Sequence, residues 1–174
     1  NRFRHYEVAA MPHNNSRESP GFQNDPCTLP VTDFPAGAYT ALGLNFLIEW
    51  IANGKTPPPS RYIEVDQNTA NDGSHLALDE FGNARGGIRN IWVYVPVATH
   101  GVFGKGKTQA QDRLCQLAGT EVPLAGDVLR KLYPSKQEYV TRANRGLAEL
   151  ISEGWFLPEY AEAIRKDVEA TNIP

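Results

Sequence analysis

The apolar positions of this chain sort it into three stretches with different periodicities. Over residues 1–66 an opening run, Phe3-Arg-His-Tyr-Glu-Val-Ala9, predicts a strand, and Pro12-His13-Asn14 then reads as a loop. The strongest helix in the sequence follows. Tyr39, Leu42, Phe46, Leu47, Trp50 and Ile51 recur at helical spacing, and Leu44 and Ile48 fill the other face. That pattern predicts a helix over Phe34–Asn53, with Asp33 as N-cap, Pro35 in the first turn and Gly54 just past the end. A helix apolar on most sides is expected to be buried, with a sheet against it.

Residues 67–125 change character. Gln67–Ser74 is polar and contains glycine, so it reads as a loop. His75-Leu-Ala-Leu78 and Ile88–Val97 read as strands, separated by a turn at Gly82-Asn83 and the pair Gly86-Gly87. Residues 126–174 return to helical spacing over Asp127–Leu132, Ser135–Ser152 and Pro158–Thr171. Ser135 with Glu138 has the spacing of a capping box, Gly154 closes one helix, and Pro158 lies in the first turn of the next. No internal repeat is visible.

Composition sets outer bounds. The 174 residues, 41% hydrophobic and 10% aromatic, are enough for one domain with a buried core. The net charge of −3 without a long basic run lacks the electrostatic footprint of a nucleic-acid binder. No apolar run reaches the ~20 residues that span a bilayer, and no signal-peptide pattern is present. The only methionine is Met11, so Asn1 reads as a processed or truncated end. Cys27 and Cys115 are too few and too far apart for a metal knuckle. They are either one disulfide of an exported protein or two buried thiols, a choice that geometry decides.

The chemistry centres on His13. A histidine in a loop just past a strand end can take a proton from a neighbouring nucleophile and return it to a leaving group. The plainer reading is a surface histidine beside a proline turn. His5 within the strand reads as structural, and His75 and His100 have no partner pattern. None of Ser16, Ser19, Ser60, Ser74, Ser135 and Ser152 lies in Gly-x-Ser-x-Gly, the tight turn that presents a nucleophilic serine.

A competing motif is Gly101-Val-Phe-Gly-Lys-Gly-Lys107-Thr108, which satisfies the letter pattern of a phosphate-binding P-loop and precedes a possible helix over Gln109–Leu117. Pro96 interrupts the strand that would feed it, His100 separates strand from loop, and Leu76-Ala-Leu-Asp79 precedes it, out of the usual order. A flexible exposed loop fits the same residues. Asp79-Glu80 are adjacent on a strand and point to opposite faces, so they do not share a substrate. Asn14-Asn15-Ser16 fits the N-glycosylation triplet, a pattern common by chance.

Several segments together carry a resemblance. Arg4-His-Tyr-Glu-Val-Ala9 with Pro12-His13 looks like the catalytic-histidine segment of a bacterial family of α/β-hydrolase domain proteins of poorly defined substrate. Trp50-Ile-Ala-Asn-Gly-Lys-Thr-Pro-Pro-Pro-Ser60, Gly86-Gly-Ile-Arg89, Val95-Pro-Val-Ala98 and Leu132-Tyr-Pro-Ser135 with Tyr139 continue it in order. The resemblance covers nearly the whole chain but only the C-terminal part of the family's domain. It implies an α/β fold: the C-terminal portion of an α/β-hydrolase with an added β-hairpin region and a helical C-terminal tail. The three stretches would then form one structural domain lacking its N-terminal part. It also implies an esterase of the Ser-Asp/Glu-His type acting on a small ester-like substrate without cofactor or metal; the expected setting is periplasmic or secreted, otherwise cytoplasmic. His13 alone carries over as catalytic. The serine and acid would come from the N-terminal portion of the same hydrolase, as preceding sequence or a docked chain, and this chain alone would be inactive. Phe22 and Trp92 are candidate pocket residues. An orphan strand and an all-round apolar helix would leave a sticky surface for that partner.

Overall fold

Helix α1 (Ala36–Asn53) is built largely as its periodicity predicts, but its two ends are made differently. Residues 3–22, 24–66 and 76–174 are described by the computed structural model. Asp33 does not cap α1, because its carboxylate instead meets Arg17 Nη2 at 3.2 Å. Pro35 occupies the N-cap position without a side-chain cap, and Glu18 Oε1 accepts from Gly37 N at 2.7 Å, placing a carboxylate at the helix N-terminus. Gly54 closes the helix in the left-handed conformation, as expected.

Burial of α1 departs from expectation. Ala36, Ala38, Tyr39 and Leu42 are buried, whereas Leu44, Leu47, Ile48 and Ile51 are 50–78% exposed. The first half of the helix packs on the core; in the second half Phe46 packs against Tyr6 and Trp155, while the face of Leu44, Leu47, Ile48 and Ile51 stays exposed among the described residues.

The opening run is extended and forms isolated parallel bridges, Tyr6↔Arg61 and Val8↔Ile88, in place of a continuous strand. Gly86 and Gly87 make this approach possible. Both have positive φ (+74° and +66°), and a Cβ on Gly87 would lie 2.6 Å from Glu7 O. Of the strand predicted over residues 75–78, His75 lies outside the described residues, as does the 67–74 loop. Leu76 and Leu78 form isolated antiparallel bridges with Val65 and Ala84, and Gly82-Asn83 turns the chain as predicted.

Ile88–Val97 is not a strand. Ile91–Tyr94 forms a one-turn helix, α2, because the buried Asn90 side chain accepts from Trp92 N and caps it in mid-run. The strand begins only beyond Pro96, as β1 (Ala98–Gly101), antiparallel to β2 (Thr120–Pro123) with His100 opposite Glu121. β2 went unread in the sequence. Between them lies α3 (Gln109–Cys115), a shorter version of the predicted 109–117 helix.

The last stretch holds α4 (Gly126–Leu132), α5 (Lys136–Ser152) and α6 (Ala161–Ala170), close to the predicted boundaries. Ser135 Oγ accepts from Glu138 N at 3.1 Å. The return bond of the capping box is missing because Glu138 instead accepts from Arg142 Nε at 2.6 Å. Pro158 opens a 3₁₀ turn (Pro158–Tyr160) that leads into α6. Helix α5 packs on α6 and α2. The main core gathers Phe34, Tyr39 and Leu42 with Ile91, Leu147, Phe156 and Ile164. A second, much smaller cluster holds Phe22, Cys27, Cys115 and Ala118. Cys27 and Cys115 are joined as a disulfide with Cα atoms 5.6 Å apart, which resolves the choice left open by spacing.

Candidate functional site around His13

The loop that carries His13 is shaped by a turn and then fastened from outside. Met11 N donates to Val8 O at 3.2 Å, and Ala10 at the third position of this turn has φ +66°. A non-glycine residue in that conformation marks a turn whose surroundings hold it there. The carbonyl of Ala9 accepts from Asn90 Nδ2 at 2.7 Å, so the cap residue of α2 also anchors the end of the extended run.

Beyond the turn, the residues flanking His13 are fixed. Pro12 is buried, and Gly119 packs so closely that a Cβ there would lie 2.6 Å from Pro12 Cβ. Asn14 N donates to Leu117 O at 2.9 Å and Asn14 O accepts from Gly119 N at 3.0 Å. Asn15 is buried and forms a reciprocal cap with Glu18: Oδ1 accepts from Glu18 N at 2.9 Å and Nδ2 donates to Glu18 Oε2 at 3.1 Å. Ser16 N donates to Thr32 O at 2.9 Å, and Thr32 N to Gly119 O at 3.0 Å. Glu18 thereby joins the loop to the start of α1 through Gly37 N.

His13 itself is exposed, and no described residue forms a hydrogen bond or ion pair with its ring. The arrangement is a rigid pedestal with a free imidazole on top. Such a ring can accept a proton from a nucleophile brought to it, since its rotation is cheap and its backbone is already placed.

The supporting residues Asn15, Glu18, Asn90 and Gly119 were not singled out from the sequence. One signal was present: Asn15-Ser-Arg-Glu18 has capping-box spacing. Asn90 and Gly119 lie far along the chain and gave no local sign.

The other candidates lie apart. His5 Nε2 is 3.1 Å from Glu7 Oε1 and its ring stacks on Tyr62, a structural placement. His100 is 7% exposed with neither ring nitrogen partnered, and burial holds its pKa down at about 4. Glu121, opposite it on β2, is pushed up by burial and then by the neighbouring charge of Asp33. Phe22 is packed in the disulfide cluster. Trp92 packs on Phe34 and lines a cavity of about 280 Å³ with Asp33, Glu121 and Asp167.

The P-loop pattern does not make a phosphate cradle. Gly104 N donates to Cys115 O, Gly106 N to Asp112 Oδ1 and Lys107 N to Pro26 O, so three of the amides that would meet phosphate are already engaged. Lys107 Nζ is paired with Asp25. The strand before the loop is one of an antiparallel pair, not a central parallel strand.

A larger cleft of about 550 Å³ is lined by Arg61, Arg89, Arg142 and Arg145 on one side of the balance and Glu138, Glu149 and Glu153 on the other. Arg142 is paired with Glu138, and Arg89 with Asp79, which lies outside the lining, so the cleft wall itself carries four arginines against three glutamates. His13 does not line it. Among the described residues, no group of three or more His, Cys, Asp or Glu side chains is placed to hold a metal ion, and no helix is long and apolar enough to cross a membrane.

Comparison with known proteins gives one match, and it spans most of the chain. A family model described as an alpha/beta hydrolase domain matches residues 1–166. No curated protein matches, and no solved structure matches.

Proposed function

Because the chain belongs to the alpha/beta hydrolase domain family, whose name points to hydrolase-type chemistry, we propose that His13 is the general base of a serine hydrolase acting on small carboxylic esters. The serine and the Asp or Glu of the triad come from outside residues 1–174, since Gly-x-Ser-x-Gly occurs nowhere among them and the serine and acid precede the histidine in this fold. The observation that carries the reading is the pedestal: an unpartnered, exposed imidazole on a loop whose neighbours on both sides are fixed.

In the reaction, a His13 ring nitrogen takes the serine Oγ–H proton as Oγ attacks the ester carbonyl. The imidazolium then gives that proton to the departing alkoxide, leaving an acyl-enzyme. Water repeats the sequence, with His13 again the base, to release the acid. A carboxylate on the other ring nitrogen would hold the tautomer and stabilise the imidazolium. By this route the chain alone hydrolyses no ester.

Two surfaces support a docked partner. Among the described residues, the N–H and C=O of Tyr6 and the N–H of Val8 have no backbone partner, so one edge of the extended run is open. Phe3, Arg4 and Tyr6 adjoin Leu47 and Trp50 of α1, which brings that edge beside the exposed apolar helix face. The buried disulfide favours an oxidising, periplasmic or secreted setting.

The test is ester hydrolysis by the chain reconstituted with the sequence that supplies the serine. His13→Ala should lower kcat at least about a thousandfold with the unfolding midpoint unchanged. Full turnover by His13→Ala would sink the assignment, and a reconstituted wild-type protein that hydrolyses no ester would favour a non-catalytic binding fold.

A further inference from the structure

We propose that the Cys27–Cys115 disulfide is the clamp that sets the His13 loop, so that the site is assembled only in a chain that has been oxidised. The proposal rests on the reading of His13 as the general base.

Both backbone bonds of Asn14, the residue after His13, go to segment 117–119. That segment leaves the end of α3, whose last residue is Cys115. Apart from the disulfide, α3 is held through single hydrogen bonds, such as those from Gly106 N to Asp112 Oδ1 and from Gly104 N to Cys115 O. It has seven residues, no side-chain cap, and Cys115 as its single buried residue. A helix that short does not persist on its own propensity. The cluster beneath it consists of Phe22, Cys27, Cys115 and Ala118 with Val31 against it, so the bonded cysteines are half of its buried members. None of these residues belongs to the main core.

The other ties of these segments are single hydrogen bonds, among them Thr28 N to Lys105 O, Lys107 N to Pro26 O, Gly104 N to Cys115 O, Gly106 N to Asp112 Oδ1 and Glu121 N to Pro30 O, with the Lys107–Asp25 ion pair. Without the covalent link, the 24–31 and 104–118 segments would rest on those bonds and on the buried side chains of Phe22, Pro26 and Ala118. The docking site of Asn14 would open while the main core stayed closed. His13 would keep its place in the sequence and lose its place in space.

Forming the bridge joins the two Sγ atoms and releases two protons and two electrons, which a disulfide oxidant accepts as it becomes a dithiol. Both cysteines are buried in the folded chain, so the bond is made during folding and then shielded from thiols. The device therefore ties assembly of the site to the compartment where the chain folds and is not a reversible switch.

Native-state hydrogen exchange on the full chain tests this without reference to ester turnover, so its outcome stands apart from that of His13→Ala. In Cys27→Ala/Cys115→Ala, protection of the Asn14 and Gly119 amides should fall at least about tenfold, while Leu147 and Ile164 in the main core change by less than about twofold. Cys27→Val/Cys115→Ala, which refills the space without the bond, should behave the same way. Unchanged protection at Asn14 and Gly119 in either variant overturns the proposal, as does recovery in the refilled variant, which would make packing the clamp. Uniform loss across the core, or failure of both variants to fold, overturns it too, because the bond would then staple the whole domain. In the reconstituted hydrolase the first variant should lower kcat and leave KM near its wild-type value, whereas a general loss of folded protein would lower the active fraction alone.

Discussion

Asn90 Nδ2 donates to the carbonyl of Ala9 at 2.7 Å while the Oδ1 of the same amide accepts from Trp92 N at 3.1 Å. One fully buried side chain thus caps α2 and fastens the run that leads to His13. Asn90→Ala removes both bonds and orphans a buried carbonyl, an expected loss of about 2–3 kcal/mol in urea unfolding. Asn90→Asp keeps the cap but sets a carboxylate against Ala9 O, so it should cost at least as much. An aspartate variant as stable as wild type would refute this account of the donor.

Gly119→Ala should disturb the His13 loop directly. The added Cβ would lie 2.6 Å from Pro12 Cβ and 2.7 Å from Thr32 Cγ2, so Pro12 must shift. Expected is a stability loss of about 1–3 kcal/mol and a larger fractional fall in reconstituted ester turnover. Gly43→Ala is the control, because nothing lies within 4 Å of its Cβ in mid-helix α1, and it should stabilise by about 0.5–1 kcal/mol.

Acid should weaken the fold through His100. Its folded pKa is lowered by burial to about 4, below the ordinary 6.5, so the folded state binds fewer protons than the unfolded chain in that interval. The contribution is fully present above the unfolded pKa and is lost as pH falls from about 6.5 to about 4, roughly 3 kcal/mol in all. Glu121 works in the opposite direction, since its raised pKa favours the folded state as pH falls. Denaturant midpoints measured across this window should show a slope in wild type that is reduced in His100→Gln, where Glu121 is still present. Parallel profiles would rule His100 out as the source.

The open face of α1 should govern self-association. Ile48 and Ile51 are 60% and 78% exposed, so Ile48→Lys/Ile51→Lys should leave the unfolding free energy within about 0.5 kcal/mol. Sedimentation velocity should show less association at high concentration than wild type. The same variant should also bind the serine-supplying portion more weakly, and unaltered reconstitution would remove this face from the interface.

Helices were the legible part of the sequence. Continuous apolar periodicity and end signals such as Gly54, Ser135 and Gly154 located α1, α5 and α6, because those cues act within a few residues. Ile88–Val97 was misread because a short apolar run has no length to separate strand from helix, and the deciding contact, Asn90 to Ala9, is remote. β2 was missed because Thr-Glu-Val-Pro is brief, half polar and ended by proline. The far face of α1 shows that an apolar pattern states what a helix seeks and says nothing about whether a partner is present. His13 could be picked out by its place after an extended run, whereas its pedestal, drawn from Asn90, Leu117 and Gly119, leaves no local trace.

The order in which the chain is made gives the bridges of the opening run a kinetic meaning. Tyr6 waits for Arg61, Val8 for Ile88, Asn14 for Ala118, and Arg17 for Asp167 near the far end of α6. Each of these long-range partners is therefore synthesised after the residue it holds, and contacts between residues so distant in sequence are slow to close. Helices α5 and α6, joined by neighbouring residues, can form first. The residue proposed to do the chemistry is translated early and seated last, so an interruption of synthesis anywhere before α6 leaves its loop without at least one of its anchors.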